Sequence, residues 1–118
     1  MKFAMKKYWL VPIVFLVIIL VLFFLPSYLV PEGVKQKTTE LCIQKCIAVI
    51  NATEIADWQR GPCLLNPIPE YPDWVCDVAH SPREAIDNQP ENQCSAYREG
   101  IANHFVEVDL GCKLIRAV

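Results

Sequence analysis

The sequence predicts an α+β fold, in which a transmembrane helix precedes a small domain whose disulfide bonds join one longer amphipathic helix, short helices and a small antiparallel sheet. Three observations predict it. Residues 8–30 carry no charged side chain and are mostly Leu, Ile, Val and Phe. Residues 38–50 repeat apolar residues at the spacing of a helix, and two later segments alternate apolar and polar residues as strands do. Helices and strands in separate runs are typical of an α+β domain.

Residues 8–30 are long enough for one membrane crossing. At about 1.5 Å per residue they span roughly 34 Å, compared with a hydrocarbon core of about 30 Å. Lys2, Lys6 and Lys7 precede this stretch, and every Asp and Glu follows it. Because basic flanks favour the cytoplasmic side, residues 1–7 are predicted to be cytoplasmic. The rest of the chain is then extracytoplasmic, in a single-pass protein of the cell membrane.

A cleaved signal peptide is the alternative interpretation of the same stretch, because a basic start and an apolar run also form an export signal. The residues that follow, PSYLVPEG, lack the pair of small residues typical of a cleavage site. We therefore favour an uncleaved signal-anchor, with the lipid bilayer as one partner.

The remainder divides into a polar hinge at residues 31–37 and one cysteine-rich domain at residues 38–118. After the anchor, eight Lys and Arg residues face thirteen acidic ones, a net charge of −5. Because binding to phosphates needs a basic surface, we expect no nucleic-acid partner. An envelope protein is a possible partner.

Six cysteines follow the anchor, an even number on the side predicted to be oxidising. They are predicted to form three structural disulfides, which small outer domains use to supplement a modest core. The cysteines are Cys42, Cys46, Cys63, Cys76, Cys94 and Cys112.

Cys42 and Cys46 are one turn apart on the predicted helix TTELCIQKCIAVI, whose apolar face includes Leu41, Ile47 and Ile50. Their Cβ atoms are then roughly 6 Å apart, whereas bridged Cβ atoms are ~3.8 Å apart, so the two should not pair with each other. Other connectivities stay open. We expect Cys76 to pair with Cys94 or Cys112, and Cys46 with Cys63.

The rest of the domain contains turn, strand and helix signals. Residues 66–72, NPIPEYP, are predicted to form an extended proline-rich loop, and residues 73–80 a strand. Ser81, Pro82 and Glu84 are typical of a capped helix start. A second short helix containing Cys94 is predicted to end at Gly100, and residues 106–114 alternate as a C-terminal strand.

Two kinds of ligand or modification site are suggested. Asn51-Ala52-Thr53 is an N-glycosylation sequon at the predicted end of the helix. His80 and His104 are weak candidates for a metal site, together with Asp77, Glu107 and Asp109, if the two strands pair. Their spacing matches no known site, and bridged cysteines cannot serve as thiolate ligands, so we expect no cofactor.

Catalytic motifs are missing from the sequence. There is no C-x-x-C, G-x-S-x-G or H-E-x-x-H pattern. We therefore expect a non-catalytic structural or interaction module at the cell envelope. A thiol–disulfide redox protein that uses Cys42 and Cys46, or a metal-binding protein that uses His80 and His104, is the alternative.

Four segments carry a resemblance. GPC at 61–63, DWVCDVAHSPR at 73–83, NQCSAYREG at 92–100 and HFVEVD at 104–109 resemble a group of small, uncharacterised archaeal membrane-anchored proteins. This resemblance implies an anchored cell-surface protein and no particular activity. The order of apolar helix, cysteine-bearing helix and sheet is also similar to a pilin, which makes a surface subunit a further alternative. The start MKFAMKKYW lacks a recognisable prepilin-peptidase site.

Overall fold

A computed structural model describes residues 10–24, 30–53 and 55–118. The chain divides into two compact units, Met1–Pro31 and Glu32–Val118. The predicted cytoplasmic segment 1–7 and both ends of the predicted anchor, at 8–9 and 25–29, lie outside the described residues.

The first unit contains helix α1, Leu10–Phe24. Its large apolar side chains from Leu10 to Phe23 are between 47% and 80% exposed. The helix carries no charged residue, and Pro12 lies in its first turn, where the missing N–H disrupts no intrahelical bond. Among the described residues, no helix combines the length and the apolar character needed to cross a membrane.

The second unit begins with helix α2, Glu32–Ala52. The predicted hinge at 31–37 is therefore wrong, because all of it except Pro31 is helical. Gly33 suggested the hinge, but one glycine costs a helix only about 1 kcal/mol. Glu32 in the first turn favours the helix through the macrodipole, and Lys37 pairs with Glu40 at 3.1 Å on the solvent side.

The buried face of α2 is set by its cysteines. Thr38, Cys42, Cys46 and Val49 are buried, at intervals of one helical turn. The Thr38 hydroxyl donates to the Val34 and Lys35 carbonyls, which satisfies its polar group inside the core.

Two residues expected on that face are exposed instead, since Ile47 is 47% and Ile50 is 39% exposed. Both bridges from the helix point to the sheet, and this orients Cys42 and Cys46 inward and turns the two isoleucines towards solvent.

Four strands form one sheet in the order β1-β2-β3-β4. They are β1 Cys63–Leu65, β2 Trp74–Val78, β3 His104–Val108 and β4 Leu114–Ala117. The outer pairs are antiparallel, but β2 and β3 are parallel, with Trp74 opposite His104 and Val78 opposite Val108. The prediction of a small sheet is confirmed and its purely antiparallel form is wrong. The connection over residues 79–103 is long enough for the crossover that parallel strands require.

The predicted C-terminal strand at 106–114 is in fact two strands separated by a turn. The Asp109 carboxylate accepts hydrogen bonds from the backbone N–H groups of Gly111 and Lys113, and Cys112 has a φ of 63°. Asp side chains commonly stabilise turns in this way. Apolar and polar residues keep alternating through this turn, so the alternation in the sequence did not show where the first strand ends.

The crossover between β2 and β3 consists of short helical turns. The predicted helix start at Ser81 is wrong, because the first 3-10 turn is Ala85–Asn88, with Glu84 and Asp87 forming its capping box. A second 3-10 turn, Pro90–Asn92, and helix α3, Ser95–Arg98, follow. The predicted end at Gly100 is confirmed, with a φ of 76°.

The two faces of the sheet are covered differently. Helix α2 contacts the face that carries Cys76 of β2 and Val106 of β3, since Cys76 is bonded to Cys42 of α2 and Val106 is opposite Cys76. The opposite face carries Val75, which packs with Cys94, Ala96 and Ala102 of the crossover. The crossover covers only part of this second face, and a cleft opens beside it.

Candidate functional site: a cleft beside a disulfide

All six cysteines are bonded in three disulfides. Cys42 joins Cys76, Cys46 joins Cys112 and Cys63 joins Cys94. The prediction that Cys42 and Cys46 do not pair with each other is confirmed. The expected pairs of Cys76 with Cys94 or Cys112, and of Cys46 with Cys63, are wrong.

The two faces of the sheet explain this pairing. Cys76 points to the α2 face, whereas Cys94 lies on the opposite face, so a bond between them would have to pass through the sheet. Cys63 is opposite Asp77 in the ladder and shares the crossover face, which brings it to Cys94. Two bridges therefore fasten α2 to the sheet, and the third fastens β1 to the crossover.

The cleft on the crossover face has a volume of about 330 Å³. Strands β2, β3 and β4 form its floor, and the crossover forms its wall. The lining residues include two acids, three arginines and two aromatic rings: Asp77, Glu107, Arg83, Arg98, Arg116, Tyr97 and Phe105.

Glu107 is the paired acid of the cleft. Its side chain is 7% exposed and accepts a 2.8 Å hydrogen bond from the Arg83 guanidinium, while Arg116 Nε lies 3.5 Å away. Arg83 also donates to the Asn88 side chain and, at 3.4 Å, to the Asp87 carbonyl, so the crossover holds it in place. Each carboxylate oxygen of Glu107 therefore lies beside an arginine.

Asp77 is the unpaired acid. The residue is 9% exposed, and its Oδ1 is buried without a hydrogen-bond partner. Burial, followed by the negative charge of Glu107, raises the pKa of Asp77 to about 8. Near neutral pH this carboxyl group is therefore protonated and able to donate a hydrogen bond.

The Cys63–Cys94 disulfide lies next to this acid. One carboxyl oxygen of Asp77 and the sulfur atoms of Cys63 and Cys94 all lie within 4.8 Å of one another. Such a group of ligand atoms suits a metal only when the sulfurs are thiolates, and here they are bonded to each other.

Two aromatic rings and one guanidinium group lie together in the lining of the cleft. The rings of Tyr97 and Phe105 meet edge to face with their centroids 5.0 Å apart, and the Arg116 guanidinium lies 4.8 Å above the Phe105 ring. These contacts hold two rings and one cation against each other in the cleft.

His80 belongs to a different cluster. Its Nδ1 lies 2.9 Å from Oδ1 of Asp87, whose side chain is 1% exposed, and Asp87 Oδ2 accepts from the backbone N–H groups of His80 and Glu84. Gly61 passes so close that a Cβ there would lie 2.8 Å from the Val78 carbonyl oxygen. His80 therefore fastens the start of the crossover.

The pKa values of this pair move in opposite directions. The hydrogen bond to Asp87 raises the pKa of His80. Burial raises the pKa of Asp87, but hydrogen bonds from Glu84 and His80 outweigh it and hold that pKa below its ordinary value.

His104 lies at the other end of the sheet. It stacks on Trp74 with ring centroids 4.8 Å apart, and its Nε2 is 3.5 Å from the Asp73 carboxylate. Because His104 is opposite Trp74 in parallel register, the β2 chain runs six residues further to His80, roughly 20 Å along the strand direction. The two histidines are therefore not brought together, and the expectation of a shared metal site is wrong.

Asn51 is exposed in the last turn of α2, which ends one residue later at Ala52. The predicted position of the sequon at the end of the helix is confirmed. Its glycosylation stays a prediction.

The sequence analysis missed the cleft itself. Asp77 and Glu107 were considered only as metal ligands, and Arg83 and Arg116 were given no role. One signal was present in the sequence, because Asp77 is the single charged residue in the otherwise apolar run WVCDVA.

Comparison with known proteins finds no matching family model, no matching curated protein and no matching solved structure. The resemblance to small archaeal membrane-anchored proteins stays a prediction.

Proposed function

We propose that this chain is a single-pass protein of the cell membrane whose second unit, Glu32–Val118, acts outside the cytoplasm as a structural or interaction module. The observation that carries the proposal is the pairing of all six cysteines into three disulfides within that unit. Disulfides persist in oxidising compartments and are rare in the reducing cytosol.

The uncharged stretch at residues 8–30 supports membrane anchorage. In the described part of it, the apolar side chains of α1 are exposed on every side of the helix. A continuous apolar surface of this kind is typical of contact with lipid or with a partner. We take the whole stretch as the anchor, with Lys2, Lys6 and Lys7 on the cytoplasmic side.

The cleft supports the interaction role. Three arginines line the cleft but only two acids do, and Asp77 is protonated near neutral pH. The cleft is therefore locally positive although the domain as a whole is acidic. Arginine and aromatic residues are the side chains that most often dominate protein interfaces. We therefore assign the cleft as the contact surface for an acidic segment of another envelope protein.

Membrane anchorage is tested by extraction and protease access. The full chain should remain with membranes after alkaline carbonate treatment, and its second unit should be cleaved by protease added outside intact cells. The double substitution Leu16→Arg and Leu20→Arg should release it, because each arginine costs about 2.5–3.5 kcal/mol at the centre of a membrane helix. Leu16→Ala with Leu20→Ala is the matched control and should stay in the membrane.

The interaction role is tested by site-specific photo-crosslinking in intact cells. A photoreactive phenylalanine analogue at Tyr97, which lines the cleft, should give a discrete crosslinked species that Arg116→Ala weakens. The same analogue at Glu40, on the solvent side of α2, should not. Equal crosslinking from both positions, or no effect of Arg116→Ala, would contradict the assignment of the cleft.

A further inference from the structure

The Cys63–Cys94 disulfide is the most accessible of the three bridges. Both ends of Cys42–Cys76 have 0% exposure, and Cys46–Cys112 has ends that are 0% and 7% exposed. Cys63 is half-buried, and Cys94 lines the cleft. Because thiol–disulfide exchange begins when a thiolate approaches one sulfur of the bridge, an external thiol reaches this bridge before the other two.

Asp77 stands beside this bridge with an unused polar atom. Its buried Oδ1 has no partner, and a carboxyl oxygen of Asp77 lies within 4.8 Å of both sulfurs, a separation that one water molecule spans. An unsatisfied buried polar group costs about 1–3 kcal/mol. When a native structure keeps such a group, a catalytic or redox role is one of the common explanations.

We infer that the Cys63–Cys94 bridge is redox-active and exchanges with dithiols that enter the cleft, with Asp77 as the proton donor to the departing sulfur. The inference does not depend on membrane anchorage or on the acidic partner. It assigns a reaction to a disulfide that otherwise only fastens β1 to the crossover.

The reaction balances with a dithiol as the reductant. One thiolate of the dithiol attacks Cys94 Sγ, which lines the cleft. The Cys63–Cys94 bond breaks, and its electron pair goes to Cys63 Sγ, which takes a proton from Asp77. The second thiol of the dithiol loses its proton to water, attacks the mixed disulfide at the dithiol's own sulfur and displaces the Cys94 sulfur, which takes a proton from solvent. The dithiol leaves as a disulfide, both cysteines become thiols, and Asp77 regains a proton from solvent.

The reduced cysteines find acceptors in place. Cys94 Sγ lies 3.3 Å from the Cys76 carbonyl oxygen, and Cys63 Sγ lies 3.7 Å from the Leu65 carbonyl oxygen. Once protonated, each thiol can donate a weak hydrogen bond to its neighbouring carbonyl. The two thiols of the reduced form therefore have hydrogen-bond acceptors close by.

The charges around Asp77 favour the same reaction. Glu107 on β3 and Asp87 on the crossover discourage its ionisation, whereas Arg83 opposes them. Arg98, Arg116 and Tyr97 also line the cleft. The three arginines attract an incoming thiolate, and the pKa of Asp77, about 8, keeps its proton in place at neutral pH.

The test uses the full chain in detergent and dithiothreitol as the dithiol. Samples are quenched by alkylation at intervals, and peptide mapping gives the rate at which each bridge is reduced. Each rate is divided by the concentration of dithiothreitol thiolate at that pH. We expect Cys63–Cys94 to be reduced at least 10-fold faster than the other two bridges at pH 6.5. Reduction of all three bridges at one rate would overturn the inference.

Asp77→Asn isolates the proton donor. At pH 6.5 this variant should lose about 10-fold or more in the rate at Cys63–Cys94, and at pH 9, where the wild-type carboxyl group is ionised, it should be no slower than wild type. Asp57→Asn, an exposed acid whose side chain caps nothing, is the matched control and should match wild type at both pH values.

The wild-type pH profile gives an independent check that needs no variant. The rate per thiolate should fall as the pH rises through about 8, the pKa of Asp77. A flat profile, or an Asp77→Asn variant that matches wild type at pH 6.5, would show that Asp77 gives no proton to the sulfur.

Discussion

The ionisation of Asp77 makes the free energy of unfolding depend on pH. Its pKa is about 8 in the folded chain against an ordinary value of 3.8, so between these limits the folded state binds a proton that the unfolded state releases. The free energy of unfolding must therefore fall as pH rises across this range, with a slope approaching about 1.4 kcal/mol per pH unit.

His80 and Asp87 modify this dependence. The raised pKa of His80 means that its contribution is fully present below pH 6.5 and is lost as pH rises through the folded pKa. The lowered pKa of Asp87 acts at the other end, since its contribution is lost as pH falls below 3.8. We expect greater stability near pH 5 than near pH 8.

Urea unfolding of the full chain in detergent at pH 5, 6.5 and 8 measures this slope. Asp77→Asn should remove most of this pH slope and leave only the smaller slope due to His80. The same slope in wild type and in Asp77→Asn would contradict the assignment of the proton to Asp77.

Arg83 is exposed itself but pairs with a buried acid, Glu107. Arg83→Met leaves Glu107, 7% exposed, with only the 3.5 Å contact to Arg116. Breaking a buried pair costs about 3–5 kcal/mol, and because Arg83 itself is 36% exposed we expect about 1–3 kcal/mol. Lys37→Met, which breaks an exposed pair with Glu40, is the control and should change stability by less than about 0.5 kcal/mol. Equal losses of stability in the two variants would contradict the role assigned to the burial of Glu107.

Among the elements, α2 is held to the sheet by two bridges a single turn apart. Cys46–Cys112 links residues 66 apart in sequence, so Cys46→Ala with Cys112→Ala should lower the free energy of unfolding by about 4 kcal/mol. Each doubling of loop length adds only about 0.6 kcal/mol. Removal of Cys63–Cys94, which links residues 31 apart, should therefore cost nearly as much. Urea unfolding without reductant measures both losses. A loss of less than about 1 kcal/mol in the free energy of unfolding on removal of Cys46–Cys112 would contradict its role in holding α2 to the sheet.

The elements also show what the sequence could predict. The presence of strand β2 and helix α2 was predictable from the apolar residues that recur in each, but the buried face of α2 was not, because Ile47 and Ile50 are exposed. The exclusion of a Cys42–Cys46 bond followed from helix geometry alone. The parallel pairing of β2 with β3 was not, because it depends on a crossover made of short helical turns with weak local signals. The turn at Asp109 was hidden by an alternation that continued through it.

At the scale of the whole molecule, the candidate site was not predictable from local pattern. Asp77, Cys94 and Arg83 lie in different elements and meet only because the crossover folds back over one face of the sheet. The wrong disulfide predictions had the same cause, since the face on which each cysteine lies depends on register. His80 and His104 were separated by the parallel register of β2 and β3.

The central claim is an oxidised, disulfide-fastened unit outside the cytoplasm. The most direct measurement is to alkylate intact cells with a membrane-permeant reagent, isolate the chain without reductant, and map its linked peptides. We expect Cys42 bonded to Cys76 and Cys46 bonded to Cys112 in essentially every molecule, and Cys63 bonded to Cys94 wherever no dithiol has reduced it. Free, alkylated thiols at Cys42, Cys46, Cys76 or Cys112 would contradict the account.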